Sequence, residues 1–388
     1  MSKTIIIIGA GLAGLSAALQ AAENGCNVKL VSSLPSERAQ SVMAEGGINA
    51  ALNTKDENDS PEEHFTDTIK AACGLADPNA VWGMTQAAPE LVHWLLKLGV
   101  KFNMSGYDDV DLRNFGGQKK KRTAFAQSDT GKQIMTAMID AVRRKEASGM
   151  VERFSHHSFL TLRLCGNICC GCVIRDEYSQ ETMELPGDAV IVATGGMHGL
   201  FGNTTGSLSN TGEVTAELFR LGVPLANGEM IQYHPTTVKC GGKRILISEA
   251  ARGEGGRLFA MKDGKQWYFM EEKYPELGNL MPRDITAREI WKVSHGSEVF
   301  LDMTEISKEV ISNKLSGLAD DCMTYLHKDI RKEPVPVLPG IHYFMGGILV
   351  DEQHRTSIQN LYAAGECCAQ YHGANRLGGN SLLGALYG

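Results

Sequence analysis

Positive charge is scarce in this sequence. Its 388 residues include 38 Lys and Arg against 45 Asp and Glu, which gives a formal net charge of −7. A protein that binds the phosphate backbone of nucleic acid needs the opposite balance, and the chain has no basic stripe, so no nucleic-acid partner is expected. The basic run Lys119–Arg122 is short and predicts a solvated loop.

A secretory signal and a membrane span are also missing from the sequence. The first residues lack the charged segment that begins a signal peptide. The apolar stretch Ile5–Ala22 is interrupted by glycines and is followed at once by a predicted strand at Asn27, so no direct membrane span is expected. Ten cysteines without a signal indicate reduced thiols, and hence a cytoplasmic protein.

Metal-binding patterns are weak. Four cysteines lie close together, at Cys165, Cys169, Cys170 and Cys172, but no second C-x-x-C pair accompanies them. The segment alternates like a β-hairpin, and a free cysteine behaves as a small apolar residue. We interpret these cysteines as core residues, with a metal site as the lesser alternative, and we predict no metal ligands.

What the sequence does contain, at its start, is a dinucleotide-binding pattern. It reads as a strand, three spaced glycines, a helix and a second strand: Ile5–Ile8, then Gly9, Gly11 and Gly14, then Leu15–Glu23, then Asn27–Ser32. Gly9 makes the tight turn, Gly11 lets the backbone approach a pyrophosphate, and Gly14 lets the helix pack on the strand. The helix N-terminus offers free N–H groups to the phosphates.

The end of the second strand lacks the acidic residue that binds the ribose of NAD. Ser32 stands at that position, which argues against a plain NAD site and favours FAD as the dinucleotide. A second glycine turn, Thr194-Gly195-Gly196, follows the apolar stretch Asp188–Ala193. That stretch is typical of a buried parallel strand, and the turn after it offers another place for a cofactor to approach.

The length of the chain exceeds one compact domain, so two domains are expected. An α/β pattern runs to residue 233, weakens after it, and resumes beyond a proline-rich exit at Glu333–Gly340, which we interpret as a rigid spacer or the edge of a hinge. We therefore predict an α/β fold. Residues 1–233 and 342–388 would form a Rossmann-like FAD-binding domain, interrupted by an inserted α+β domain at residues 234–341.

Two helices are predicted near the start of the chain. Ser60, followed by Pro61 and by a carboxylate three residues on, is typical of a capped helix start. Residues 78–98 form the second helical stretch. We expect Trp82 and Trp94 in this helix to lie in the core.

Polar residues suited to an anion recur in four places along the chain. They are Tyr233-His234-Pro235, Ser248–Gly256, Met281–Asp284, and His342 with Gly373–Ser381. Each alone is better explained as a turn, a surface pair or a core histidine. Together, beside a dinucleotide motif, two histidines and several arginines suit a small dianion, because the planar fork of arginine matches a carboxylate.

At these residues the sequence resembles the flavoprotein subunits of the fumarate reductase and succinate dehydrogenase family, over essentially the whole chain. The most specific stretches are Gln232–Thr236, Arg252–Gly256, Pro282–Asp284, His342–Gly347 and His372–Leu377. The resemblance implies a Rossmann-like FAD domain interrupted by a mobile capping domain, which agrees with the insertion. It also implies reduction of fumarate to succinate, or the reverse oxidation.

The resemblance implies roles for individual residues. Arg283 matches the general acid that protonates one alkene carbon while flavin N5 delivers hydride to the other, and Glu249 and Arg252 match a proton relay to it. The positions that bind the substrate carboxylates or pack against the substrate are matched by His234, Ser248, His342, Arg376 and Phe115. The stretches that hold FAD contain Gly9, Gly11, Gly14, Ser32, Ser41, Gly46, Gly47, Thr194, Gly195, Glu213, Glu366, Asn375, Ser381 and Leu382.

The sequence departs from the family in several places. Gln40 stands where members with covalent FAD have a histidine, so non-covalent FAD is expected. Glu213 replaces the family's aspartate, and Ser248 stands where threonine is more usual. The family's C-terminal helical domain, which commonly helps to dock partners, is absent.

The implied partners are a C4-dicarboxylate substrate and an iron–sulfur subunit or another electron donor, through which the protein would associate with a membrane.

Three other functions compete with this one. L-Aspartate oxidase shares the fold and most of the site, but it carries a glutamate where this chain has Phe115, which favours a substrate with an uncharged C2 substituent. A FAD-binding subunit without turnover of its own is favoured by the missing C-terminal domain and opposed by Arg283, Glu249 and Arg252. A NAD-dependent dehydrogenase is opposed by Ser32 and by the second glycine turn.

Overall fold

A computed structural model describes residues 2–388 as a mixed α/β chain. The strands are β1 (Thr4–Ile8), β2 (Asn27–Ser32), β3 (Ile48–Asn49), β4 (Leu112–Arg113), β5 (Thr123–Ala124), β6 (Val151–Ser155), β7 (His157–Cys165), β8 (Ile168–Asp176), β9 (Thr182–Pro186), β10 (Ala189–Val192), β11 (Leu225–Ala226), β12 (Ile231–Cys240), β13 (Lys243–Leu246), β14 (Arg257–Lys262), β15 (Lys265–Trp267), β16 (Val299–Asp302), β17 (Val335–Pro336), β18 (Leu338–Phe344), β19 (Gly347–Leu349), β20 (Leu361–Ala363) and β21 (Cys368–Ala369). The helices are α1 (Leu12–Glu23), α2 (Pro61–Ala71), α3 (Pro78–Lys97), α4 (Thr130–Ala147), α5 (Glu213–Arg220), α6 (Ala250–Gly253), α7 (Phe269–Lys273), α8 (Arg283–Ser294), α9 (Lys308–Lys314), α10 (Ser316–Leu326) and α11 (Asn380–Tyr387).

A five-stranded parallel sheet, in the order β20-β10-β1-β2-β6, forms the centre of the fold. Successive residues of a strand face opposite sides of a sheet. In β1, Ile7 therefore packs with the helices of one core cluster, while Ile6 and Ile8 pack with the β7–β8 hairpin in another. Both faces are covered, as in doubly wound parallel sheets, and the predicted α/β fold class is confirmed.

The first glycine turn is packed so closely against its neighbours that Gly9 and Gly14 have no room for a side chain. Gly9 has φ +113°, and a Cβ atom there would lie 2.2 Å from the carbonyl oxygen of Ala193, at the end of β10. A Cβ atom on Gly14 would lie 1.8 Å from the oxygen of Gly9, so α1 packs directly on the turn that precedes it. The helix begins at Leu12 rather than at Leu15.

The predictions for the next two helices are mostly confirmed. The Ser60 hydroxyl accepts a hydrogen bond from the N–H of Glu63 over 3.2 Å and caps α2. Helix α3 spans Pro78–Lys97. Trp94 packs against the core, but the prediction for Trp82 is wrong: it is 45% exposed, with its ring edge-on to Phe65 at 5.3 Å.

The inserted segment builds two small sheets and a hydrophobic core of its own. One sheet has the order β15-β14-β16-β17, and α6 to α10 surround it. The apolar residues between Ile247 and Val337 form a cluster that includes a single residue from outside the segment, Phe115. A separate core is the mark of a domain, and we propose that the segment acts as one.

The two connections to this segment are paired strands rather than loops. Strand β12 enters the segment and β18 leaves it, and the two are hydrogen-bonded as an antiparallel ribbon with register shifts beside His234. The predicted boundaries at 233/234 and 341/342 therefore fall inside strands. The prediction of a rigid spacer at Glu333–Gly340 is wrong. Val335 and Pro336 pair with β16 at the edge of their sheet, where a proline without an N–H is tolerated.

None of the helices formed by residues 2–388 combines the length and the apolar character that crossing a membrane requires.

Candidate active site

A cavity of about 540 Å³ lies between the central sheet and the inserted segment. It opens at the carboxyl ends of β1, β2 and β10, where ligands bind in doubly wound folds. The predicted site residues that line it are Gly9, Gly11, Ser32, Ser41, Gly46, Gly47, Thr194, Gly195, Glu213, Glu366, Ser381, Leu382, Phe115, His234, Ser248, Glu249, Arg283, His342 and Arg376. Three predicted residues do not line it: Gly14, Arg252 and Asn375.

The part of the cavity beside the glycine turns fits a dinucleotide. The hydroxyl of Ser32 is buried there and has no hydrogen-bond partner in the protein. The hydroxyl of Ser41 accepts a hydrogen bond from the N–H of Leu12, at the first turn of α1, over 3.3 Å. Bare backbone at Gly9 and Gly11, a helix N-terminus and hydroxyl groups are the donor set that a pyrophosphate and a ribose require.

Glu366 is fixed at the floor of the cavity by two polar contacts and by the close approach of Gly196. Its Oε1 accepts a hydrogen bond from the N–H of Phe344 over 3.0 Å and lies 3.1 Å from Nε2 of His198. A Cβ atom on Gly196 would lie 2.6 Å from the same oxygen. Nδ1 of His198 lies 2.8 Å from the hydroxyl of Thr204. His198 supports a predicted site residue, and the sequence analysis assigned it no role.

A buried histidine, His234, and a half-buried one, His342, face each other in the part of the cavity next to the inserted segment. His234 lies on β12 and His342 on β18, and pairing of these strands brings the ring centroids to 5.0 Å. Nδ1 of His234 lies 3.0 Å from the carbonyl oxygen of Thr236, which leaves Nε2 buried without a partner. Nδ1 of His342 lies 2.8 Å from the hydroxyl of Thr205.

Both histidines are neutral in the free site. Burial lowers the pKa of His234 well below its ordinary value, and the positive charges of Arg283 and Arg252 lower it further. Burial likewise lowers the pKa of His342, and His234 and Arg283 add to the effect. A negatively charged ligand bound beside the two histidines would stabilise their protonated, positively charged forms.

A carboxylate joins two arginines at the wall formed by the inserted segment. Nε of Arg283 donates to Oε2 of Glu249 over 2.7 Å, and its Nη2 lies 2.6 Å from the same oxygen. Nη2 of Arg252 lies 3.3 Å from Oε1 of Glu249, and the N–H of Gly116 donates to Oε1 over 3.0 Å. Burial opposes ionisation of Glu249, but the two guanidinium groups outweigh it and hold its pKa below the ordinary value.

Arg376 adds a further cation from the FAD-binding side. Its guanidinium lies over the ring of Tyr343, 4.4 Å from the centroid. Its Nε is buried without a partner, so it is free to donate to an anion. Burial, and then the charge of Arg283, lower the pKa of Arg376, and a bound anion would relieve both effects.

Phe115 and Ser248 complete the wall. Phe115 is 1% exposed. Its ring lies where a Cβ atom on Gly46 or Gly378 would approach to 2.9 Å, so both glycines are needed for it to fit. The hydroxyl of Ser248 accepts a hydrogen bond from the N–H of Ala250 at the start of α6, over 3.4 Å.

Asn375, predicted to lie in a FAD-binding stretch, does not line the cavity and is hydrogen-bonded to two neighbouring side chains. Its Oδ1 accepts a hydrogen bond from Nε2 of Gln232 over 2.7 Å, and its Nδ2 donates to Asp284 over 3.1 Å. Oε1 of Gln232 accepts from Nη1 of Arg283 over 3.1 Å. The sequence analysis quoted Gln232 within a motif but assigned it no role, because only the fold shows which groups its amide joins.

Comparison with known proteins agrees with this geometry. Residues 4–382 match the family model described as FAD binding domain. The chain is 44% identical to the succinate dehydrogenase flavoprotein subunit of Bacillus subtilis and 34% identical to the L-aspartate oxidase of Streptomyces coelicolor, in each case over 100% of this chain and 67% of the relative. A structure of the FrdA chain of E. coli quinol fumarate reductase superposes with a TM-score of 0.91 at 30% identity, over 100% of this chain and 68% of that one.

The chain thus spans about two thirds of the length of these relatives. The match extends across the glycine turns, the inserted segment and the residues that follow it. By their names, the relatives are oxidoreductases or flavoprotein subunits of oxidoreductases. The chain belongs to the family of FAD-dependent oxidoreductase flavoproteins that includes the flavoprotein subunits of succinate dehydrogenase and fumarate reductase and L-aspartate oxidase.

Proposed function

We propose that the protein interconverts fumarate and succinate, with Arg283 as the group that delivers or removes the proton. The observation that carries the proposal is the position of Arg283. It lines the cavity from the inserted segment, together with His234, His342 and Arg376, and its guanidinium is paired with Glu249. A dicarboxylate bound among these groups would lie within reach of the two arginines and the two histidines.

The substrate carboxylates would be bound by His234, His342, Ser248 and Arg376. Cations on a carboxylate withdraw charge from the alkene and stabilise the enediolate-like transition state. Phe115 would pack against the substrate carbons. A phenylalanine at this position has no carboxylate to bind the amino group on C2 of aspartate, which favours fumarate or succinate as the substrate.

Proton transfer would run along the chain Arg252, Glu249 and Arg283. An arginine is an unusual acid because its pKa is very high. A closed, dry site with a carboxylate at 2.6 Å is the setting in which a guanidinium could give up a proton and regain it at once. Arg252 is itself fully buried, and its Nη1 donates to the carbonyl oxygen of Asn279 over 2.6 Å.

FAD, when bound, supplies the hydride or accepts it. We propose that it binds without a covalent bond, because Gln40 lines the cavity where a histidine would be needed to attach it. The relatives are named as subunits of larger enzymes. We therefore also propose that an electron-transfer protein, such as an iron–sulfur subunit, is the partner that exchanges electrons with this chain and connects it to a membrane.

The decisive experiment is anaerobic turnover with reduced viologen dye, after reconstitution with FAD. We expect fumarate to be reduced in this assay. In a separate assay, with oxygen or fumarate as the acceptor, we expect aspartate not to be oxidised. Oxidation of aspartate without reduction of fumarate would identify an aspartate oxidase. Bound FAD with neither activity would identify a binding subunit without turnover of its own, and would overturn the proposal.

A further inference from the structure

The four clustered cysteines fall into two pairs with different surroundings. Cys169 and Cys172 are buried in the core beneath the hairpin of β7 and β8. Burial raises the pKa of Cys172 to about 12, so its thiol is inert. Cys165 is exposed and Cys170 is half-buried. The prediction that these cysteines are core residues therefore holds for the first pair and is wrong for the second.

Cys165 and Cys170 are brought together by an irregularity in the hairpin. Leu164 pairs with Cys169, and Arg163 pairs with Gly171, so Cys170 is an extra residue with no partner across the strand. Such a bulge turns a side chain out of the regular alternation. Here it places Sγ of Cys170 2.9 Å from Sγ of Cys165, next to the turn at residues 166–167 that joins β7 to β8.

We propose that Cys165 and Cys170 form a dithiol–disulfide couple that reacts with low-molecular-mass disulfides at the protein surface. The pair lies outside the residues that line the central cavity, so the proposal does not depend on the function proposed above. The two sulfur atoms need to approach by less than 1 Å to reach a disulfide bond of about 2.05 Å.

The reaction balances as two thiol–disulfide exchanges. The thiolate of Cys165, the exposed member, attacks one sulfur of a small disulfide, forms a mixed disulfide and expels one small thiolate. The thiolate of Cys170 then attacks the sulfur of Cys165, closes the protein disulfide and expels the second small thiolate. The two protein thiols are oxidised, the small disulfide is reduced to two thiols, and the two thiol protons pass to the two leaving groups.

Because the thiol of Cys170 is so near, the reaction should end in the disulfide between Cys165 and Cys170 rather than in a lasting mixed disulfide on Cys165. An intramolecular thiol acts at a high effective concentration, so the mixed disulfide on Cys165 is short-lived. The hydrogen bond between the two thiols raises the pKa of Cys170, which fits Cys170 as the second attacker rather than the first. Cys73 is an exposed thiol whose Sγ donates a hydrogen bond to the carbonyl oxygen of Ala71 over 3.5 Å. It serves as the internal control.

The test is to treat the folded, FAD-loaded protein with excess 2-hydroxyethyl disulfide, quench with acid, alkylate, digest and identify each cysteine by mass spectrometry. We expect Cys73 to carry the hydroxyethylthio adduct. Cys165 and Cys170 should be linked to each other, with the linked form at least about ten times as abundant as the adduct on Cys165. The Cys170→Ser variant should keep the adduct on Cys165, as Cys73 does.

Two results would overturn the proposal. One is an adduct on Cys165 of the wild-type protein as abundant as that on Cys73. The other is recovery of both Cys165 and Cys170 as alkylated thiols after Cys73 has reacted fully. The Cys73→Ser variant checks that linking is independent of the control site. Retention of bound FAD by each variant checks that the fold is intact.

Discussion

Gln232 and Arg283 are hydrogen-bonded across the junction between the FAD-binding domain and the inserted segment, Nη1 donating to Oε1 over 3.1 Å. The amide nitrogen of Gln232 donates to Oδ1 of Asn375 and to the carbonyl oxygen of Arg376, each over 2.7 Å. One side chain therefore sets the distance between the proposed acid and the loop that carries a proposed substrate cation.

Replacement of this amide should impair catalysis more than binding. We expect Gln232→Leu to retain FAD and to lower kcat by about ten-fold to a hundred-fold, because a small displacement of a reacting group has an effect of that size. Steady-state kinetics with fumarate would measure it. Tyr233→Phe, at the neighbouring and half-exposed position, is the control. Equal kcat values in the two variants would contradict the role of Gln232.

Loss of the proposed acid should abolish turnover and spare affinity. We expect Arg283→Ala to lower kcat by at least about 10²–10⁴-fold, while the dissociation constants of FAD and of a dicarboxylate inhibitor change little. An interaction made only in the transition state lowers kcat rather than affinity. Arg288→Ala on the same helix, where the side chain is 61% exposed, is the matched control. Wild-type turnover in Arg283→Ala would show that another group is the acid.

Dicarboxylate binding should take up protons. Burial and neighbouring cations lower the pKa of His234 and of His342 in the free site, so both are neutral near pH 7. A bound dianion favours their charged forms and raises both pKa values. Because protons become scarcer as pH rises, the Kd of malonate should increase with pH near neutrality, by up to about ten-fold per pH unit for each proton taken up.

Calorimetry in two buffers of different ionisation enthalpy measures this uptake directly. The number of protons should fall in His234→Gln and in His342→Gln and stay unchanged in His93→Gln, which alters an exposed histidine. Identical apparent enthalpies in the two buffers would mean that neither histidine changes its protonation on binding.

The inserted segment should close on the substrate as a unit. Arg283 lies inside this segment, while His342 and Arg376 lie on or beyond its exit strand, so the full site exists only when the two parts meet. We expect fumarate to slow amide hydrogen exchange at residues 233–236 and 336–340. The amides of β1 and β2 in the central sheet serve as the reference. Exchange at both connections that is unchanged by fumarate would argue against closure.

FAD should be released on denaturation. Gln40 cannot form the histidyl bond to the flavin, so acid or detergent should transfer all the yellow colour to the supernatant. Flavin that remains with the precipitated protein would show that another residue attaches it.

The direction of the reaction should favour fumarate reduction. A covalent histidyl bond withdraws electrons from the flavin and raises its potential, so a flavin without that bond is the stronger reductant. A shift of about 30 mV corresponds to about 1.4 kcal/mol for a two-electron couple, which biases the direction about ten-fold. Assays in both directions at matched driving force would test this. Succinate oxidation as fast as fumarate reduction would contradict it.

The sequence predicted those parts of the fold whose cause is local. Gly9 and Gly14 are needed by contacts within one βαβ unit, and the Ser60 cap depends on residues three positions apart. Both signals are visible without tertiary structure. Trp82 was misplaced because helical periodicity does not show which neighbours cover a side chain, and this one packs edge-on against Phe65 but stays 45% exposed.

The parts that escaped prediction depend on long-range pairing. Glu333–Gly340 has the proline content of a rigid spacer, yet partners from β12 and β16 make most of it strand. Gln232 contacts groups far along the chain, and no local pattern reveals this. Cys165 and Cys170 meet because of a bulge, and one extra residue in a strand cannot be seen in an alternating pattern.

The ribbon of β12 and β18 carries the inserted segment and also carries His234 and His342. If this ribbon is the hinge of the proposed closure, it cannot bend without changing the spacing of the two rings. Opening would then also weaken the binding of the ligand, and a ligand held more tightly by the histidines would leave more slowly. Variants that strengthen this grip should shift the slow step of turnover from chemistry to product release.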